Sequence, residues 1–299
     1  MIGIVIAFLS FLIFSNPDTG GSRIFSEILN CGHFPLFGVI AMALFYYFEF
    51  GEARGPKNYF LSWGITACLG LLTEFIQLFD PGRTFELRDL AYDALGAFTF
   101  LAFSYSFRLS ERRMRRTIRM GIALICLAST TPIWLAVVEW EHMLKSFPLI
   151  SSFETKGEVR RWKTHDASIM QVQGHATHGK YSAKVMLSPG VYPGLNLDYL
   201  VGDWHGYKTF ACDIFLLDDT PLCLTIRIND KVHNQAYADR YNHTFTLQPG
   251  PNEIRIPLKD VTRAPLGRSM DMRAVSLICF FAYRLDTPRT IFIDSIRLS

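Results

Sequence analysis

Residues 73–96 read TEFIQLFDPGRTFELRDLAYDALG, and several of them are out of place in their surroundings. Glu74 and Gln77 sit inside an apolar run. Arg83 follows a Pro-Gly turn, and Asp89 and Asp93 stand at the head of the next apolar run. Carboxyl groups in such a setting have two chemical uses. Desolvation lifts their pKa towards neutrality, where a carboxyl can give or take a proton. With an arginine beside them they belong to a polar network, and the planar guanidinium can also hold a carboxylate or phosphate in two parallel hydrogen bonds. Glu74 and Gln77 are three apart and Asp89 and Asp93 four apart, so each pair shares a helix face. His33 opens an earlier apolar run. His33, Glu74, Gln77, Arg83, Asp89 and Asp93 together form a candidate polar site within a membrane, with Glu74 and Asp93 as the candidates for acid or base. A purely structural role stands beside this one: Arg83 neutralising Glu74 or Asp89, Asp89 capping a helix, His33 resting at an interface.

A second set lies far downstream. Trp204, Tyr237, Arg240, Tyr241 and His243 could form a sugar surface, the rings stacking on pyranose faces and the Arg and His donating hydrogen bonds. The competing reading puts Trp204 in a core and packs Tyr241 on a sheet. His175 and His178 form H-x-x-H without a visible third ligand, and a zinc site wants three or four, so they are read as structural. Asn242-His243-Thr244 is a glycosylation sequon that matters only in a eukaryotic secretory pathway. No nucleophile elbow, phosphate loop or dinucleotide fingerprint is present. The six cysteines show no C-x-x-C spacing.

Two kinds of sequence must position these residues. The chain has 299 residues, 49% hydrophobic and 19% charged, with a net charge of +3 that does not call for nucleic acid. Apolar runs near 1–15, 33–50, 58–79, 90–107 and 120–138 predict five membrane helices. The first lacks a basic leader and an obvious cleavage site, so it is expected to be retained. The run FRLSERRMRRTIR at 107–119 carries six Arg and one Glu between two spans. It predicts a cytoplasmic loop under the positive-inside rule, hence a cytoplasmic N-terminus and an extracytoplasmic C-terminal half. The polar site then falls at the outer leaflet. Beyond residue 150 the period changes. Stretches at 180–187, 207–216, 221–229, 241–248, 252–258, 274–283 and 289–298 alternate apolar with polar and are separated by turn signals, which predicts an antiparallel all-β jelly-roll sandwich. The expected organisation is a transmembrane domain over 1–107, a basic loop and fifth helix over 108–138, a linker over 139–150 and a β-sandwich over 151–299.

The spacing of Glu74, Gln77, Pro81, Arg83, Asp89, Asp93 and Gly96, with His33-Phe34 upstream, resembles VanZ-like membrane proteins over roughly residues 28–107. Asn30 stands where an Asp is usual, Phe37 where a Tyr is frequent and Asp93 where an Asn is typical. The resemblance implies a bacterial multi-pass protein of the cytoplasmic membrane, in a family named for glycopeptide resistance whose biochemical activity is not established. Residues 151–299 resemble the jelly-roll carbohydrate-binding modules of glycoside hydrolases. Phe153-Glu154, His178-Gly179, Asp203-Trp204 with Tyr207, DRYNHTFTLQPGPNEIRIPL and the closing FIDSIRL carry that likeness. It implies a structural calcium joining the first segment to the last strand, with Glu154 and Asp294 as ligands. The function expected is binding of a surface glycan or a lipid-linked glycan precursor, accessory to polysaccharide or cell-wall assembly or to glycopeptide resistance. Carbohydrate and membrane lipid are the expected partners. A membrane enzyme using an outer-leaflet carboxylate ranks second, since no nucleophile or metal set is visible, and a scaffold of an envelope complex ranks third.

Overall fold

A computed structural model describes residues 23–50, 55–79 and 87–299. The chain divides into two compact units, with the boundary between Val137 and Val138.

The first unit is helical. Its described helices are α1 (Arg23–Glu49), α2 (Lys57–Gln77), α3 (Leu87–Ser106) and α4 (Arg112–Ser129), and it also holds the start of α5 (Thr131–Ser146). Three helical stretches are long and apolar enough to cross a membrane: Arg23–Glu49, Lys57–Gln77 and Arg112–Ser146. The expectation of five spans is thereby reduced to three among the described residues. The run at 90–107 does form a helix, α3, but Arg88, Asp89 and Asp93 lie within it and it is not one of the three. The run at 1–15 lies outside the described residues.

Helix α2 has the inverse of a soluble helix's pattern. Its buried stripe is Asn58, Ser62, Thr66, Gly70, Thr73, Glu74 and Gln77, at steps of three and four. Phe60, Leu61, Leu71, Leu72 and Phe75 point outwards and are exposed. Small and polar residues between helices with large apolar ones outside is how a bundle is built in lipid, where apolar surface gains nothing from being hidden. The buried Thr hydroxyls satisfy themselves within the helix: Thr66 donates to the Ser62 carbonyl and Thr73 to that of Gly70, each at 2.8 Å.

Glycines set how closely these helices approach. A Cβ at Gly96 of α3 would lie 2.0 Å from the Phe34 carbonyl oxygen of α1, and one at Gly70 of α2 would lie 2.7 Å from Asp93 Oδ2 of α3. At Gly38 of α1 it would strike the Phe100 ring at 2.3 Å. Beside these contacts Phe45 of α1 stacks on Tyr59 of α2 with centroids 4.2 Å apart, over buried Ala41, Ala97 and Leu101.

The second unit is an antiparallel β-sandwich. One sheet has the order β3-β4-β11-β6-β9, with β1 added against β11; the other runs β2-β5-β10-β7-β8. The strands of the first are β1 (Leu149–Ser151), β3 (Ala167–Val172), β4 (Ser182–Leu187), β6 (Thr209–Leu216), β9 (Gly250–Pro257) and β11 (Arg289–Leu298). Those of the second are β2 (Lys163–His165), β5 (Gly194–Leu197), β7 (Leu222–Asp230), β8 (Tyr241–Leu247) and β10 (Val275–Phe281). Short helices α6 (Lys156–Arg161) and α7 (Leu258–Arg263) complete the unit. All seven expected strands are present. The four not expected, β1, β2, β3 and β5, are at most six residues long, too short to show a period. Ile214 and Ile293 from one sheet meet Leu224, Ile226 and Phe280 from the other in a single core, with Trp162 and Trp204.

The glycine contact yields a test. Ala normally improves a helix over Gly by up to about 1 kcal/mol. Gly96→Ala is expected to do the opposite, because its methyl meets backbone, and overpacking costs about 1–3 kcal/mol. Gly64→Ala, where nothing lies within 4 Å, should be neutral or mildly stabilising. Melting of the two variants in detergent checks this; equal behaviour would mean that α3 does not press on α1 at Gly96.

Candidate functional site

The polar residues of the helical unit converge on the α1–α3 contact. His33 of α1 lies with Nδ1 3.0 Å from Asp93 Oδ1 of α3, and its Nε2 is 4.0 Å from Asp89 Oδ2. Asp89 and Asp93 present one helix face four residues apart, so a single imidazole spans both. Its ring also stacks on Phe37, 6.1 Å away, one turn along α1. Glu74 of α2, 1% exposed, is near enough to act electrostatically on both His33 and Asp93. Gln77 is buried on the same stripe of α2. The second oxygen of Asp93, Oδ2, is buried without a hydrogen-bond partner among the described residues. Four of the six expected residues, His33, Glu74, Asp89 and Asp93, are therefore in one cluster, and Gln77 lies one helical step from it. Arg83 lies outside the described residues.

The sequence reading missed an ion pair beside this cluster. Arg88 of α3 donates to Glu27 of α1, Nη1 to Oε2 at 3.0 Å, and Glu27 is buried. A carboxylate early in a membrane helix was the available signal, since such a charge needs a partner. Among the described residues no three His, Cys, Asp or Glu side chains are grouped so as to hold a metal ion.

In the sandwich the expected sugar residues separate. Trp204 is 1% exposed, stacks on Phe210 at 5.8 Å, and donates from its indole to the Val201 carbonyl. It belongs to the core, which corrects its placement on a sugar surface: its ring faces are taken by packing. Tyr241 and His243 pair with Ile228 and Ile226, so they share the inward face at the open edge strand β8. Tyr241 is buried, and burial pushes its hydroxyl up to about 12. Tyr237 is 73% exposed in the short turn before β8, with the Arg240 guanidinium 5.1 Å from its ring centroid.

The outward face of the second sheet was not anticipated. Strand register carries Asn196, Cys279, Arg227 and Asn242 across four strands in one row, and Gly194, Phe281, Thr225 and Thr244 in the next row but one. This face is half-buried and polar at its centre. Arg227 donates from Nε to Asn229 Oδ1 at 3.1 Å and sits 3.2 Å from His233 Nε2. Burial and the neighbouring Arg240 push the Arg227 guanidinium down from the usual arginine range. Burial also raises the Cys279 thiol, against the pull of the two guanidinium groups. Asn242 has both amide atoms buried without partners, as is Arg240 Nε. At one end Tyr192 lies 5.9 Å from Phe281 and 5.3 Å from Tyr283, and both tyrosines are exposed. The signal for this face lay in the outward positions of β7, where Arg227 and Thr225 alternate with core residues.

The loops beside the face are held by charge. Arg268 clamps buried Asp230 with two bonds of 2.6 and 2.8 Å and also reaches Asp239. Burial opposes ionisation of Asp230, but Arg268 and the Asp271 N–H outweigh it and keep the carboxyl below the usual range. Arg268 and the Asn234 N–H bring Asp239 from 3.8 to about 2.

Glu154 and Asp294, the expected calcium ligands, both fasten the 174–181 loop through main-chain N–H groups. Glu154 Oε1 accepts from Lys180 and Tyr181, each at 2.8 Å. Asp294 Oδ2 accepts from Thr177 and His178, and its Oδ1 from Ser295. Three of the four carboxyl oxygens thus accept hydrogen bonds from main-chain donors that close the 174–181 loop.

Residues 2–108 match the family described as VanZ/LLP1. No curated protein sequence matches the chain. Among solved structures, a family 11 carbohydrate-binding module from Clostridium thermocellum, in complex with a β-1,3-1,4-mixed-linked tetrasaccharide, is 17% identical with a TM-score of 0.41 and covers 50% of this chain and 94% of that one. An exo-β-agarase is 14% identical with a TM-score of 0.41, covering 50% of this chain and 25% of that one. A family 30 carbohydrate-binding module of a cellulosomal cellulase of Clostridium thermocellum is 16% identical with a TM-score of 0.34, covering 50% and 90%. The chain thus carries a VanZ-like region followed by a β-sandwich.

The Arg268 clamp predicts acid behaviour. A depressed carboxyl pKa stabilises the fold above the unfolded value, and that stabilisation is lost as pH falls through the folded value. For Asp239 the window runs from 3.8 down to about 2. Arg268→Gln should lower the melting temperature of residues 138–299 at neutral pH, and the gap to the parent should narrow as pH drops through that window. A constant gap would show that the clamp does not set the acid response.

Proposed function

We propose that the chain is an envelope membrane protein whose sandwich holds an acidic glycan, one bearing a uronate or phosphate group, on the outward face of the β2-β5-β10-β7-β8 sheet. The observation that carries this reading is the pair Arg227 and Arg240. Arg227 stands on that half-buried face opposite Asn242, in contact with Asn229 and His233, and Arg240 precedes Asn242 by two residues with its guanidinium over Tyr237; neither forms an ion pair with a carboxylate among the described residues. Two like charges left together without a counter-ion raise the free energy of the empty face. An anionic ligand relieves that cost, and the unpaired Asn242 amide offers a donor and an acceptor to sugar hydroxyls. Tyr192 and Tyr283 provide the ring faces on which a pyranose stacks. In this reading the helical unit is the anchor, its basic 107–119 segment is cytoplasmic, and the sandwich is outside the cytoplasm, in reach of cell-surface polysaccharide or of a lipid-linked precursor.

A second reading rests on Asp93 Oδ2, a buried acceptor without a partner beside His33 and Glu74. It makes the helical unit an acid–base centre, with Asp93 or Glu74 moving a proton and His33 orienting Asp93.

Residues 138–299 on an array of neutral and acidic glycans should retain acidic ones. Hydrogen bonds to a charged group are worth about 1.5–3 kcal/mol, so Arg227→Met should weaken binding about tenfold or more. Equal retention of neutral glycans, or none of either kind, would overturn the binding reading. Asp93→Asn in the full chain should leave that affinity unchanged; if it abolishes an envelope phenotype as well, the second reading gains. Reporter fusions after residue 114 should report cytoplasm and those after residue 299 the outside. A cytoplasmic C-terminus would remove the sandwich from any surface glycan.

A further inference from the structure

A groove of about 750 Å³ lies between α2, α3 and α4, within the range of about 300–1,000 Å³ typical of ligand sites. Its walls are apolar: Trp63 from α2, Phe98 and Leu101 from α3, Ile122 and Ile125 from α4. Tyr59 and Tyr105 are the polar exceptions. One end of the groove is the place where α2 begins, α3 ends and α4 begins. Among the described residues, two hydrogen-bond donors towards that end lack acceptors. The Tyr59 hydroxyl, in the groove wall, is buried without a partner, and so is Arg115 Nε. Arg115 lies one turn before Ile118 on the face that continues through Ile122 and Ile125, so it heads the stripe that forms the α4 wall.

The surroundings are strongly cationic. Arg119 donates to Ser106 Oγ at 3.2 Å and lies 4.5 Å from the Phe107 ring centroid, while Arg108, 5.4 Å from that of Tyr59, is paired with Glu49 at 2.9 Å, so the excess positive charge lies with the arginines of α4. Residues 107–119 hold six Arg against one Glu. We propose that this groove binds an anionic phospholipid, with an acyl chain along the apolar walls and the phosphate accepting from Tyr59 and Arg115. The charge excess decides the headgroup: a quaternary ammonium would be repelled where a second negative or neutral group is not. An extended peptide is the wrong occupant. Its backbone N–H and C=O groups would lie unsatisfied against walls that offer no partners at membrane depth. The inference is independent of the glycan reading, since it uses a different unit and a different ligand.

The test uses the full chain, purified in detergent and stripped of lipid, then mixed with dioleoylphosphatidylglycerol or dioleoylphosphatidylcholine in micelles. Lipid retained per protein is read by native mass spectrometry. The parent should hold phosphatidylglycerol at least tenfold more tightly. Arg115→Gln and Tyr59→Phe together should bring the two lipids to near parity, and Ile122→Trp, which fills the groove, should weaken both. Arg113→Gln removes the same charge from an exposed position off the groove-facing stripe and should keep the preference. Equal retention of the two lipids by the parent overturns the proposal. So does a preference that survives the double substitution, or one lost equally with Arg113→Gln, since that would reflect diffuse charge alone. If the double variant does not fold, the parent comparison and Arg113→Gln still decide.

Discussion

An ionised or hydrogen-bonding group removed from water must meet a partner, and in the helical unit this requirement governs how near α1 and α3 come. His33 and Asp93 are 3.0 Å apart across that contact. They reach each other because Gly96 lets the Phe34 carbonyl sit where a side chain would be, and because Gly70 clears space for Asp93. A carboxyl left alone in such an interior costs several kcal/mol, so the glycines and the polar pair depend on one another. Glu27 with Arg88 repeats the arrangement nearer the helix ends. The rest of the unit follows from it: polar stripes turned inwards, aromatic and aliphatic side chains turned out.

The sandwich obeys the same rule by a different route. Its core is apolar, as water demands, and its buried carboxyls are matched by fixed donors. Arg268 answers Asp230 and Asp239, and main-chain N–H groups answer Glu154, Glu158 and Asp294. Arg268 ties its loop to β7 through Asp230, and Asp294 ties the 174–181 loop to β11. Against that background the outward face of the second sheet is an exception. Arg227, Arg240 and Asn242 are partly withdrawn from water without full compensation. Sites kept incompletely satisfied in an otherwise satisfied protein are where a ligand can supply what is missing.

The two units place their unmet polar groups in contrasting settings. In the helical unit, Tyr59 and Arg115 lack acceptors at the basic end of an apolar groove. In the sandwich, two guanidinium groups and an amide lie on a sheet face beside exposed rings. Both settings offer donors, in keeping with a chain whose net charge is +3. An anionic occupant suits each, but the apolar length of one and the flat aromatic rim of the other select different molecules.

By itself the sequence determined the division into an apolar helical half and a β-rich half, because hydrophobic period and run length are local properties. It also marked His33, Glu74, Gln77, Asp89 and Asp93 as candidates for one polar layer, without fixing that His33 would meet Asp93. The i,i+3 and i,i+4 spacings of Glu74 with Gln77 and of Asp89 with Asp93 fix their faces, and a short connection brings neighbouring helices together. It did not determine whether an apolar run crosses a membrane: α3 is a helix as expected, yet its three charged residues set it apart from the three apolar stretches. Nor did it find Glu27 against Arg88, 61 residues apart, since long-range pairing has no local signature. Only the tertiary structure decided the sugar-surface candidates. Trp204 and Arg227 look alike as isolated residues in a β-rich stretch, but one points between the sheets and the other away. Which face of a strand is covered depends on strand order and register, and a strand of period two has two equivalent faces until a second sheet packs on one of them.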